Sequence, residues 1–281
     1  KAPTSVQSLL NTEIGIRLSN DMALGETDFE LMGMSGNNVK ILLDGIPLID
    51  RGATKQSLSQ LDVNSIERVE IVEGPMSVVY GTDALAGVIN IITKKGDGYS
   101  EENTWRVGAR VQEESMGKEY DFFKDKGLHN ASIDLGFSHK SGLFVNGGYT
   151  RNNHGGWQGD LTGREKRWHP KDQALMNGMF GFQNRNMNVW YRLDFLDEKI
   201  FGPNNGSELQ PEKVSDKDFL TKRYTHQLQS DWKLDNRLDV HAALSYQDYK
   251  RRTRTTESDL STGEKWLSSA EASQDITQYK A

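Results

Sequence analysis

Two patterns of apolar and polar positions divide the chain. Up to about residue 95 the apolar residues come in short runs: Val39-Lys40-Ile41-Leu42-Leu43, Val69-Glu70-Ile71-Val72 and Val88-Ile89-Asn90-Ile91-Ile92. β-Branched runs of this length, bounded by Asp44-Gly45, Gly74-Pro75 and Gly87, read as buried strands with tight corners between them. Thr4 or Ser5 can cap a short helix over 6–10. Residues 15–18 and 29–32 read as strands, 19–27 and 48–57 as loops, 35–38 as a turn and 76–80 as a helical turn. From Thr104 the period becomes two. Trp105, Val107, Ala109 and Val111 alternate with Arg106, Gly108, Arg110 and Gln112. The same alternation runs through 131–138, 143–150, 187–195 and 238–247, and more weakly through 174–182, 223–234 and 266–279. That predicts about eight strands, each with an apolar and a polar face.

Alternation alone fits any half-buried antiparallel sheet, so the connections decide. Those at 138–142, 183–186 and 234–237 are short, whereas 113–128, 152–173, 197–221 and 250–264 are long and polar. Short and long connections in strict alternation predict a transmembrane barrel with tight turns on one side and long loops on the other. Trp105, Tyr149 and Tyr246 near strand ends suit interfacial girdles. The mean hydropathy of -0.69 does not oppose this, because alternating strands average out as hydrophilic. No apolar run reaches the ~18 residues of a membrane helix. A net charge of -6 excludes an electrostatic nucleic-acid binder, and the absence of cysteine excludes disulfides and thiolate metal sites. Lys1-Ala2-Pro3 leads straight into a helical start with no signal peptide, so the natural beginning of the chain is expected to be missing.

The chemistry-bearing residues form no nucleophile elbow, phosphate loop or metal-spaced cluster, so neither an enzyme nor a bound cofactor or metal is expected. All six histidines (His129, His139, His154, His169, His226 and His241) fall in the period-two region. They read as polar barrel residues, with haem ligation by His154 or His169 as the functional alternative. Met22, Met32 and Met34 read as packing residues rather than a soft-metal site.

The string Val69-Glu70, Gly74-Pro75, Tyr80-Gly81, Ala84 and Gly87-Val88-Ile89-Asn90-Ile91-Ile92-Thr93 resembles the end of the plug domain of TonB-dependent outer-membrane receptors. The Asp44-Gly45 turn with its flanking strands resembles the plug's other recurring segment. The resemblance covers residues 1 to about 95 and implies the rest. The fold class it implies is an all-β membrane protein, an antiparallel transmembrane β-barrel of about 22 strands around an N-terminal α+β plug. Residues 1–97 would be an N-terminally truncated plug and 98–281 the first part of the barrel. An eight-stranded barrel is filled by its own side chains and could not hold a plug, so the remaining strands are expected elsewhere.

The implied function is energy-coupled import, across the outer membrane of a Gram-negative bacterium, of a scarce ligand such as a ferric siderophore, haem or cobalamin. The implied partners are the TonB-ExbB-ExbD complex, membrane lipid and lipopolysaccharide, and a small metal chelate or cofactor as ligand. The alternatives are a receptor paired with a surface lipoprotein that imports glycans or peptides, and, from another class, a barrel adhesin or surface structural protein. The resemblance places Asp21, Met22, Arg51, Gly52, Thr54 and Lys55 on the plug's outward, ligand-facing loops. It also exposes a departure. Plugs of this family carry arginines that pair with barrel glutamates, whereas this chain has Met32-Gly33 and Glu73-Gly74-Pro75 at those places. Glu73 is therefore expected to pair with Arg106, Arg110 or Arg192, which strand parity turns toward the lumen, or with a basic residue on further strands.

Overall fold

The computed structural model describes residues 6–11, 13, 15–21, 26–35, 38–48, 58–76, 84–96, 102–235 and 237–280. The elements in order are α1 (Val6–Leu10), β1 (Ile16–Asp21), β2 (Glu26–Leu31), β3 (Met34–Ser35), β4 (Val39–Leu43), β5 (Ile46–Pro47), β6 (Ile66–Glu73) and β7 (Gly87–Thr93). Then come β8 (Thr104–Glu114), β9 (Leu128–Ser138), β10 (Leu143–His154), β11 (Lys171–Gln183), β12 (Met187–Gly202), β13 (Lys213–Lys233), β14 (Asp239–Asp259) and β15 (Lys265–Lys280). Two short 3-10 turns, Leu58–Gln60 and Val63–Ser65, precede β6.

The first seven strands form two small sheets, β1-β2-β3 and β5-β4-β7-β6. β4 runs parallel to β7, and β6 antiparallel to it. Most of their apolar residues meet in one core built from Val6, Leu10, Leu31, Ile41, Ile89 and Ile91 among others, into which Leu58 and Leu61 also pack, while Leu42, Ala84 and Val88 form a smaller second cluster. The Val88–Ile92 run is central and mostly buried, as its composition predicts, with Asn90 and Ile92 half-buried. β6 differs from expectation. It is the edge of its sheet, with Val72 42% exposed, because only β7 pairs with it. Its charged residues fit such an edge, where Arg68 bonds Glu67 and Glu70.

The other eight strands form one antiparallel meander in sequence order, an open sheet with β8 and β15 at its edges. Its faces are the reverse of a water-soluble sheet. The apolar face is bare, with Trp105, Val107 and Phe180 at 75%, 71% and 60% exposure. The polar face is covered, with Gln173, Gln227 and Gln247 each at 1% and Arg192 at 2%. Such burial of the polar set suits a wall whose apolar side faces lipid and whose polar side faces a filled lumen. No described helix is long and apolar enough to cross a membrane, which does not bear on crossing by strands.

Short and long connections sit at opposite ends of the meander, which puts Gly142 and Gly156 at opposite ends of β10. The loops are shorter than the sequence suggests. β13 begins at Lys213, not near Thr221, and β14 continues to Asp259, which leaves only 260–264 between β14 and β15. Residues 250–259 are polar on both faces and so lack the alternation that marks a strand half in lipid. Their threonines still favour extended backbone. Among the short turns, Gly142 has φ +97, and a Cβ there would run into the Gln183 carbonyl oxygen. Gly142→Ala is expected to cost about 1–2 kcal/mol, read from the unfolding midpoint in urea.

Candidate functional site: the seam between plug and wall

Leu58–Ser65 is one of the segments through which the small sheets touch the wall. Leu58 and Leu61 face the core, which turns the polar residues between and after them outward. Asp62 caps the second 3-10 turn by accepting the Asn64 backbone N–H at 3.0 Å. The same carboxylate accepts from Thr150 Oγ1 at 3.0 Å and from Asn177 Nδ2 at 3.3 Å, so it joins the turn to β10 and β11. Burial pushes the Asp62 carboxyl above the usual carboxylate range, against the opposing effects of these hydrogen bonds and of the Arg192 charge. Asn64 donates to Thr150 Oγ1 at 3.2 Å and accepts from Arg110 at 3.4 Å. Gln60 donates to Glu198 Oε1 at 2.9 Å, and Gln173 donates to both Glu198 Oε2 and the Ser59 carbonyl at 2.9 Å. Lys171 Nζ reaches Ser59 Oγ at 3.3 Å.

Further round the wall the contacts change character. Arg223 donates to the Gln60 carbonyl at 2.8 Å, Gln227 to the Leu43 carbonyl at 3.3 Å, Gln229 to the Asp44 carbonyl at 2.6 Å and Gln247 to the Pro47 carbonyl at 2.8 Å. Here β13 and β14 grip the backbone of the β4–β5 hairpin and of the first 3-10 turn. Near the short-turn end Phe144, Met179 and Trp190 cluster on the lumen face, and the Lys95 ammonium lies 4.7 Å from the Trp190 ring centroid.

Of the residues singled out in the sequence, Arg110 and Arg192 reach this seam. Arg192 bonds Asp194 at 2.7 and 2.6 Å and Ser65 Oγ at 3.4 Å, and Arg106 bonds Asn146 at 3.3 Å. Glu73 is exposed at the end of β6 and has no ion-pair partner among the described residues. Asp21 ends β1, while Met22, Arg51, Gly52, Thr54 and Lys55 lie outside the described residues, as do 76–80 beyond Met76 and the loop 49–57. His154 is buried beside Trp168, with ring centroids 4.0 Å apart. No three His, Asp or Glu side chains converge as a metal site among the described residues.

Gln60, Asp62, Asn64 and Ser65 do not stand out in the sequence as site residues. The available signal was the Asp62-Val63-Asn64-Ser65 turn chemistry between two core leucines and β6.

Residues 1–88 match the TonB-dependent receptor plug domain family. Over these residues the chain is therefore similar to a TonB-dependent receptor plug. The chain is 33% identical over 107 residues to the ferrienterobactin receptor of Escherichia coli K12, a stretch equal to 33% of this chain and 14% of that relative. Among solved structures it is similar to the copper transporter OprC (TM-score 0.62, 12% identity), covering 96% of this chain and 48% of that one. It is also similar to the ferric enterobactin receptor PfeA of Pseudomonas aeruginosa (TM-score 0.54, 14% identity), covering 91% and 44%, and to the siderophore receptor PirA of Acinetobacter baumannii (TM-score 0.54, 17% identity), covering 91% and 43%. These likenesses extend the shared fold from the plug into the barrel wall, and the chain spans less than half the length of each.

Proposed function

We propose that the protein is an outer-membrane receptor that captures a ferric siderophore, or a chelate of similar kind, and passes it inward past its plug with energy from the TonB complex. The observation that carries the reading is the reversed wall: a bare apolar face outside, and a buried polar face bonded to a TonB-dependent receptor plug inside. The ferrienterobactin relative and the siderophore-receptor neighbours support an iron chelate as ligand. Residues 1–97 would act as the plug and 98–281 as wall. Asp21, Met22, Arg51, Gly52, Thr54 and Lys55 would face the ligand. Homologues that are receptors and transporters support a non-enzymatic role, and the plug argues against an adhesin, which needs none.

The test uses cells in which this protein is the only siderophore receptor, given ferric enterobactin, haem or cobalamin. Uptake of ferric enterobactin that disappears when TonB is deleted is expected. Uptake that survives that deletion, or dependence on a surface lipoprotein, would refute the reading. Arg51→Ala with Lys55→Ala is expected to slow capture of the anionic chelate by about tenfold at low salt, with less effect as salt rises. Unchanged capture at low salt would make those loops merely solvated.

A further inference from the structure

Two spaces lie along the same stretch of seam, against β8–β11. The larger, about 140 Å³, sits at the long-loop end, where Glu114, Leu128, His154 and Lys171 are the terminal residues of their strands. Two buried polar atoms of its lining, His154 Nε2 and Asn130 Oδ1, have no protein partner among the described residues. His154 Nδ1 accepts the Gly156 backbone N–H at 3.0 Å, so a neutral ring carries its proton on Nε2. The cavity thus contains a donor and an acceptor that call for a polar occupant, and it has room for several waters. The smaller space, about 20 Å³, lies toward the short-turn end, lined by Lys94, Arg106, Asn146 and Arg192. Asp62 and Asn64 line both.

We propose that the ligand's passage opens along this β8–β11 stretch, and that the Asp62–Asn64 pair, bonded to Thr150 and Asn177, is the gate between the two spaces. This rests on the import reading above and assigns it a location. The bonds across the gate join side chain to side chain at 3.0 to 3.4 Å, and they hang on one turn that Asp62 itself caps. Moving that turn breaks them together. Beside the gate, β11 also holds plug backbone, through Gln173 to the Ser59 carbonyl in the same short stretch, whereas β13 and β14 hold the carbonyls of Leu43, Asp44 and Pro47, so parting the seam there requires displacing the β4–β5 hairpin itself. The plug therefore has a fixed side and an opening side. Asp62 and Asn64 are positioning residues that keep the opening side shut.

The experiment measures potassium chloride conductance of the protein, purified from outer membranes, in planar bilayers. Asp62→Ala with Asn64→Ala should raise the steady conductance several-fold over the parent. Thr150→Val with Asn177→Ala, which removes three of the four bonds from the wall side and leaves that of Arg110 to Asn64, should do likewise and serves if the first variant fails to fold. Gln229→Leu with Gln247→Leu, on the fixed side, should leave the conductance low. Parental conductance in whichever gate variant folds, or an equal leak from the fixed-side variant, overturns the proposal. Uptake of ferric enterobactin is read in parallel. Leaky gate variants in a protein that takes up none would count against the ligand reading and leave the gate standing. TonB-dependent uptake with tight gate variants would do the reverse.

Discussion

Arg192→Met is expected to destabilise the protein by about 3–5 kcal/mol, measured by urea unfolding in detergent micelles. Arg192 is 2% exposed on the lumen face of β12. Its guanidinium makes two bonds to Asp194, at 2.7 and 2.6 Å, and one to Ser65 Oγ at 3.4 Å. Methionine matches the length of the stem but leaves the Asp194 carboxylate without its cation and removes one wall contact from the plug. Lysine keeps the charge but has no planar fork for two parallel bonds, so Arg192→Lys should fall between parent and Met. The decisive comparison adds Asp194→Leu. If the loss comes from a stranded charge, the double variant recovers much of the stability that Arg192→Met removes. A double loss equal to the sum of the two single losses would show that Arg192 acts through packing instead.

Much of this architecture was legible in the sequence, for a specific reason. Side chains in lipid and side chains in a lumen demand opposite polarity at adjacent positions, and Trp105 to Gln112 records that demand residue by residue. The record stops where the demand stops. Toward the long-loop end 250–259 is polar on both faces and 213–221 has few apolar residues and no regular alternation, so both look like loop, although Lys213–Asp259 and Asp218–Arg254 are paired in the ladder. Edge and centre were only partly legible, through the charges Glu67, Arg68, Glu70 and Glu73 of β6. β6 and β7 carry similar β-branched runs, and pairing makes one exposed and the other buried.

The seam was the least legible part. Arg192 was correctly turned inward by parity, but parity does not name partners, and its carboxylate is two residues along its own strand rather than Glu73. Leu58–Ser65 was missed because it is neither helix nor strand. Its significance lies in the alternation of core leucines with Gln60, Asp62 and Asn64, which becomes meaningful only when a wall stands opposite.

The Asp-Gly corner after β4 should be as sensitive as the Arg192 pair, because backbone and side chain depend on the same residue. Asp44 has φ +49 and Gly45 φ +83, the left-handed pair that turns β4 into β5. Asp tolerates that conformation better than Ala. Its buried carboxylate accepts the Thr93 backbone N–H at 3.0 Å and the Thr93 hydroxyl at 2.7 Å, which fastens the end of β7 to the hairpin, with Lys95 Nζ 4.0 Å away. Its carbonyl receives Gln229 from the wall. Asp44→Ala loses both carboxylate bonds, leaves the buried Thr93 N–H unsatisfied and strains the turn, together about 3–5 kcal/mol. Asp44→Asn keeps the left-handed preference and one acceptor, so about 1–2 kcal/mol is expected. Because this hairpin is on the fixed side of the plug, the loss should appear first as protease cleavage within residues 1–97 while the wall stays resistant. Cleavage of the Ala variant no faster than that of the parent would mean that the carboxylate bonds and the turn preference are both dispensable to the plug's hold.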